Sequence, residues 1–387
     1  MTKLLLGADP EFFVQKDGKL VSAYGLIEGT KEKPLKVNGG AVQVDGMALE
    51  FNIDPASTFV EFNDNINSVL NELRKMVPAE YEFVFKPVAH FGKEYIEAQP
   101  EDARRLGCDP DFNAYTGTAN VAPDANATFR TASGHIHLGW TEGMDTSNPE
   151  HIEACQMMVK QLDGLLGYYS LIYDRDVQRR SLYGKAGAYR PKPYGVEYRT
   201  PSNAWVDNVD LRKVVFDAAH SAFNYLMYGV SWSDSQTEVI INTDDWKKAW
   251  LKAGRYIIYP RILSRRYDAL VSEYEMQLNG TKKGGIVFDP FVKPKAGRKK
   301  KAEGVAAGEL NIQVGIEEQR ANVALVDPMN VRVLPLHVLA NEFALQQPEI
   351  AWKQGQWQWV PAQLRWVHLD GGGAFNIPIA GGGGGRI

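Results

Sequence analysis

This chain of 387 residues is short of cysteine: it has two, Cys108 and Cys155, in no CxxC spacing. That excludes a disulfide scaffold and a cysteine-rich zinc site, and it implies a reducing, cytoplasmic location. The chain also lacks an HExxH helix and a GxxxxGK[ST] loop, which excludes zincin and P-loop chemistry. No uninterrupted apolar run is long enough to span a bilayer, so no membrane partner is expected. The apolar run in the opening MTKLLLGADPE is too short for a signal peptide. Charge of neither sign dominates: the formal net charge is -4, which leaves no overall nucleic-acid footprint. No internal repeat period is present. A hydrophobic content of 44% is that of an ordinary globular protein, and the length allows two or three domains.

What the chain does have is a set of short strand-like segments, each projecting a polar pair from one face. Leu4 to Val14 reads as a first buried strand with Asp9 and Glu11 on the same side; Pro10 suits an edge or a bulge. Ala41 to Asn52 reads as a half-buried strand with Glu50 and Asn52 sharing a face and Asp45 nearby. Ala132 to Trp140 places His135 and His137 opposite Ile136 and Leu138. Tyr183 to Asn203 opens with Gly184, Lys185, Gly187, Arg190 and Lys192 and ends in a strand carrying Glu197 and Arg199 on one face.

Each pair alone has a plain structural reading, as a salt-bridged or surface strand end. Carboxylates in an apolar strand repel one another unless a cation lies between them. Hard oxygen donors with one or two imidazoles suit Mg²⁺ or Mn²⁺ if the four segments are neighbours in an antiparallel sheet.

Helical spacing marks the remaining elements. Thr58 and Glu61 form a capping box before Phe59, Phe62, Ile66, Val69, Leu70, Leu73 and Val77. Asn148-Pro149-Glu150 opens a second helix, Asp210 is expected to cap a third, and Arg261 to Leu278 forms a fourth. His220 reads as satisfied core and Cys108 as a packed thiol. Residues 92–130, dense in turn residues but holding Phe112, Tyr115 and Phe129, read as a substrate loop. After Gly280 the character changes, with a basic run at 293–301, then Trp352, Trp357, Trp359 and Trp366, then glycine tracts. Residues 281–387 are expected to be a C-terminal extension that takes part in homo-oligomer assembly or contacts a partner protein.

GADPEFF resembles the E-P-E-F-F strand of glutamine synthetases, SGHIHLG their S-G-x-H-x-H strand, and VEYRTPSN their E-F-R segment and the E-x-R of glutamate–cysteine ligases. The motifs also come in the same order. With DGMALEFN and GCDPDFNAYTG, the arrangement most resembles the phage-encoded COOH-NH2 ligase family of that superfamily, over residues 1–280.

The resemblance implies an α+β fold, a curved antiparallel β-sheet with helices on its outer face, and an ATP- and Mg²⁺- or Mn²⁺-dependent ligase. Such an enzyme joins a carboxylate to an amine, either substrate being an amino acid, a polyamine or a protein terminus, through an acyl phosphate. Glu11, Glu50, His135 and Glu197 are implied as metal ligands, with Asp9 standing where the family has a glutamate. Arg199 is implied at the transferred phosphoryl group, with Arg190 and Lys185 as further nucleotide contacts and His137 beside the phosphates. Two other readings fit the same residues: a guanidino kinase-like phosphotransferase, and a non-catalytic virion or nucleic-acid-binding component.

Overall fold

A computed structural model of the chain describes residues 4–104, 111–121, 128–227, 229, 234–253, 261–278, 357–360, 365–368 and 374–375. Cys108, the basic run, Trp352 and the glycine tracts lie outside the described residues. The chain divides into two units, Met1–Lys283 with Trp359–Ile387, and Gly284–Gln358, and nearly all described residues belong to the first.

The first segment is two strands rather than one, β1 (Leu5–Ala8) and β2 (Glu11–Lys16). Pro10 has no N–H to offer a ladder, and at Asp9-Pro10 the chain leaves one sheet for the next. β3 (Lys19–Val21) returns from β2 through Asp17-Gly18, both at positive φ. β4 (Leu35–Val37), β5 (Gly40–Asp45) and β6 (Ala48–Ile53) extend this sheet in the order β3-β2-β6-β5-β4. The 41–52 segment is therefore a hairpin and not a single strand. Its turn needs Gly46, whose φ of 58° is a left-handed conformation that side chains disfavour. β7 (Tyr81–Val84) pairs with β2.

β8 (Val88–His90) pairs with β10 (Phe129–Thr131), while β9 (Phe112–Asn113), β11 (Ile136–Gly139), β12 (Ala188–Lys192) and β13 (Gly195–Tyr198) join β1. The resulting antiparallel sheet has the order β1-β11-β13-β12-β9. The α+β architecture of antiparallel sheets with helices is the one expected, with the polar strands shared between the five- and six-stranded sheets. Backbone bonds continue across the break, from Asp9 N to His135 O and from Glu11 N to Ser133 O, so Glu11 borders both sheets.

The helices are α1 (Phe59–Met76), α2 (Lys93–Glu97), α3 (Glu101–Arg104), α4 (Pro149–Leu162), α5 (Tyr168–Tyr173), α6 (Val177–Leu182), α7 (Val209–Met227), α8 (Thr237–Asn242), α9 (Trp246–Ala253) and α10 (Arg261–Leu278). α2 and α3 interrupt the stretch 92–130 that reads as irregular in the sequence. The Thr58–Glu61 capping box forms as the spacing predicts. Phe62, Ile66, Val69 and Leu73 are fully buried beneath it, and at about 2 kcal/mol per side chain they outweigh a cap worth about 1 kcal/mol. α7 is capped by Asn208, whose side chain accepts from Leu211 N, and Asp210 sits inside the first turn instead.

α4 packs on β12 and β13, and α1 on β5 and β6. Ile136, Leu138, Val196 and Tyr198 are buried in this helix-covered core, so the alternating His137 and Glu197 point to the opposite face. Between α4 and α5, residues Asp163–Gly167 make a π-helical turn. His220 packs at a tilt against Phe216 within α7, half-buried, but its Nε2 has no hydrogen-bond partner among the described residues, so it is not the satisfied core histidine expected. β14 (Trp357–Val360), β15 (Arg365–His368) and β16 (Ala374–Phe375) form a separate three-stranded sheet. Among the described residues, no helix is long and apolar enough to cross a membrane.

Candidate active site

Register decides which polar side chains meet. His137 lies directly across from Gly7 on one side and from Glu197 on the other, and Glu197 lies across from Arg190. Two residues further along the same ladder come Asp9, His135 and Arg199, so the two polar rows stack over one sheet face. Glu11 lies across from Glu50 on β6, and Gln43 across from Glu50 on β5.

The result is two neighbouring groups. Asp9, His135 and Glu197 each offer a donor atom within 4.8 Å of the others. Glu11, Asp45 and Glu50 do the same. The residues implied as metal ligands are thus split, with Glu11 and Glu50 in one group and Asp9, His135 and Glu197 in the other. Asp45 is the addition: the β5–β6 turn brings it beside Glu50, which a single-strand reading of this segment conceals.

In the first group Asp9 Oδ1 lies 3.1 Å from His137 Nε2 and 3.4 Å from His135 Nδ1, and His135 Nδ1 lies 3.5 Å from Glu197 Oε1. Asp9 Oδ1 and His137 Nε2 are buried atoms that make no aligned hydrogen bond. Burial would raise the Asp9 pKa, but His137 and His135 hold it well below the usual carboxylate range. Burial and the Asp9 charge would likewise raise Glu197, yet His135, Arg199 and His137 hold it at about 2. Burial and the Arg199 guanidinium push His135 down to about 4, leaving a neutral imidazole. Burial would lower His137, and the adjacent Asp9 carboxylate outweighs it and raises the pKa.

In the second group burial and the charges of Asp45 and Asp9 push Glu11 up to about 7. Burial and the charges of Asp9, Glu11 and Asp45 raise Glu50 well above its usual range. Ser133 N donates to Glu11 Oε2 at 2.9 Å, and Gln43 Nε2 to Glu50 Oε2 at 2.9 Å. Three carboxylates so placed repel unless protonated or neutralised by a cation. Both groups offer hard oxygen donors with at most one neutral imidazole, a set that fits Mg²⁺ or Mn²⁺.

Arg199 is buried beside them. Its guanidinium donates to Glu197, lies 3.3 Å from His135 Nδ1, and through Nε donates to Asp111 Oδ2 at 3.2 Å. Glu197 also meets Lys192 Nζ at 2.8 Å and Arg190 Nη1 at 3.6 Å. Lys185 is not brought to this point: its carbonyl accepts from Thr200 Oγ1, and it lines neither cavity described next.

Two cavities flank the polar groups. One is lined by Glu11, Asp45, His135, Arg130, Arg179 and Arg199, with Ser133 and Tyr183 at its wall. The other, lined by Leu5, Pro55, His137, Trp140, Glu142 and Tyr194, is largely apolar and aromatic. Asp9 touches the imidazoles that face both. Tyr194 OH and His137 Nδ1 are 2.5 Å apart. Arg179 is 1% exposed and donates to the carbonyls of Thr200 and Arg199, while its Nε has no partner. No carboxylate lies within 4.0 Å of it among the described residues. Sequence reasoning missed Arg179, because an arginine on a short helix carries no signal of where that helix docks.

None of the curated proteins compared matches this chain in sequence. A solved structure described as a novel glutamine synthase homologue is 11% identical, covering 73% of this chain and 68% of its own, with a TM-score of 0.34. A GmaS/ADP complex is 13% identical, covering 71% of this chain and 72% of its own, with a TM-score of 0.27. The family comparison matches a stretch that carries His135, His137, Arg179, Glu197 and Arg199, while Asp9, Glu11, Asp45, Glu50 and Asp111 precede it. Residues 119–273 match the model of the family described as Phage phiEco32-like COOH.NH2 ligase-type 2, and it is the phage COOH-NH2 ligases that the motifs of this chain resemble.

Proposed function

We propose that this chain is an ATP-dependent carboxylate–amine ligase that forms an amide through an acyl phosphate. The observation that carries the reading is the pair of acidic groups set between an arginine-lined cavity and an aromatic one, with Asp9 touching the imidazoles of both. A carboxylate is a poor electrophile, and phosphorylation supplies the leaving group it lacks. In this reading the nucleotide occupies the cavity of His137, Trp140 and Tyr194, and the acid that of Arg130, Arg179 and Arg199.

Asp9, His135 and Glu197 would hold one divalent cation, and Glu11, Asp45 and Glu50 a second. Bound there, such ions supply neutralising charge for the phosphoryl oxygens. Arg199 and Arg179 add planar guanidinium donors on the acid side of the same group. Arg190 and Lys192 flank Glu197, and His137 adds an N–H donor beside the phosphates.

The acid oxygen attacks the γ-phosphorus, and ADP leaves. The amine nitrogen then attacks the acyl carbon, the bond to the phosphate oxygen breaks, and inorganic phosphate leaves. The proton lost by the amine needs an acceptor. Asp111 is the carboxylate at Arg199 that belongs to neither cation group, and we assign it that role.

The test is ADP release from ATP and Mg²⁺ with pooled carboxylates and amines, followed by mass spectrometry. ADP that depends on both an acid and an amine, with an amide product, is expected. ADP release that needs only a guanidino compound, or no ADP with any pair, would overturn the reading.

A further inference from the structure

Asp163, on the far side of the sheet from the two acidic groups, lines neither cavity and is completely buried. It opens the π-helical turn between α4 and α5, an irregularity that recurs where a helix must aim a side chain. Four donors converge on its carboxylate. Oδ1 accepts from Tyr198 OH at 2.6 Å and, at 3.3 Å, shares with the Lys185 carbonyl the single proton of Thr200 Oγ1. Oδ2 accepts from Gly187 N at 2.6 Å and from Tyr115 OH at 3.1 Å. Burial pushes its carboxyl up to about 7, against these hydrogen bonds, which favour the ion.

The four donors come from the three segments that build one side of the site. Tyr198 and Thr200 bracket Arg199, and in an extended strand they point away from the face that carries Glu197 and Arg199. Gly187 leads into β12, which carries Arg190 and Lys192. Its φ is 77°, and a Cβ there would lie 2.7 Å from the Tyr115 ring, so only glycine lets loop and strand meet over the carboxylate. Tyr115 follows Asp111, whose side chain receives Arg199 Nε.

We propose that Asp163 is the positioning residue of this site: its carboxylate pins the three segments together and so fixes the Arg199 guanidinium between Glu197 and Asp111. The assignment rests on the ligase reading only for its activity assay. Asp163 touches no substrate, and it acts through the strand and the loop it holds.

Asp163→Asn tests it, because the amide keeps the shape but has one acceptor oxygen, and its NH₂ must face two of the four donors, from which it cannot accept. At a temperature well below the melting point, kcat is expected to fall by about 100-fold, the scale of a roughly 1 Å misplacement, with little change in KM for ATP. Combining it with Arg199→Lys should then cost little more than the larger single loss. A lowered melting temperature with wild-type kcat would make Asp163 a structural residue only and overturn the proposal.

Should Asp163→Asn fail to fold, Tyr115→Phe, Tyr198→Phe and Thr200→Val each remove one donor. A kcat that declines as donors are lost supports positioning, and a kcat indifferent to them overturns it. If the wild type releases no ADP with any acid and amine, the ligase reading falls separately. The readout then becomes Mn²⁺ affinity, which Asp163→Asn should weaken by displacing Glu197; unchanged or absent Mn²⁺ binding overturns the inference too.

Discussion

Arg199 Nε donates to Asp111 Oδ2 at 3.2 Å although 88 residues separate them. The same guanidinium also binds Glu197 and approaches His135 Nδ1, so it connects the loop, the strand and one acidic group. The guanidinium holds its donors in a wide, rigid plane, whereas the three donors of an ammonium sit on one compact atom and cannot reach the same partners together. Arg199→Lys is expected to leave the melting temperature within a few degrees and lower kcat about 100-fold, the order seen when one transition-state donor is removed. Comparable kcat values in the two proteins would end this role.

Asp111→Asn separates the two half-reactions. Hydroxylamine is largely neutral at neutral pH and needs no deprotonation before it attacks, whereas an alkyl amine with a pKa of about 10 arrives protonated. Hydroxamate formation in the variant should stay close to wild type, while amide formation with an alkyl amine falls by about 100-fold, within the range of general-base contributions. Raising the pH should restore part of the loss. Equal losses with both nucleophiles would remove Asp111 from proton transfer.

Mn²⁺ titration followed by electron paramagnetic resonance should show two ions per chain, one for each group. Glu50→Gln should leave one and Asp9→Asn should leave the other. A single ion lost equally in both variants would mean that the two groups act as one site.

The second group should bind in a pH-dependent way. Glu11 is held at about 7 against an ordinary value of 4.5, so the folded protein binds its proton more tightly than the unfolded chain does. Its contribution to stability without metal is therefore full below the unfolded value and is lost as pH rises through 7. Proton and cation compete for the same oxygens, so Mn²⁺ affinity should rise through that interval with proton release. Calorimetry in buffers of different ionisation enthalpy reads both. Affinity independent of pH between about 6 and 8 would contradict this assignment.

We also propose that residues 281–387 are an addition to the ligase domain at 1–280, used for assembly or for capturing a partner protein. The shortened chain ending at Gly280 is then expected to stay soluble and bind ATP, with only its oligomeric state or partner binding changed. Aggregation of that chain, seen by light scattering, would assign the tail to the core.

The sequence by itself determined the polar pairs, the Thr58–Glu61 cap, the Asn148 start of α4 and the span of α10, because each depends on residues a few positions apart. Alternation alone puts His137 and Glu197 on a face away from Ile136 and Val196. It could not say that Asp9 and Glu11, two residues apart, would serve different groups. That follows from the break at Pro10, which sends β1 and β2 to different partners. Asp45 joins Glu11 and Glu50 only because Gly46 turns the chain back on itself. Arg179 and Asp163 carry no local signal at all, and Asp111 is marked only by its place in GCDPDFNAYTG. A buried guanidinium or carboxylate becomes legible only when packing shows which backbone carbonyls, hydroxyls and distant charges close around it, and those contacts span from 20 to 88 residues of chain.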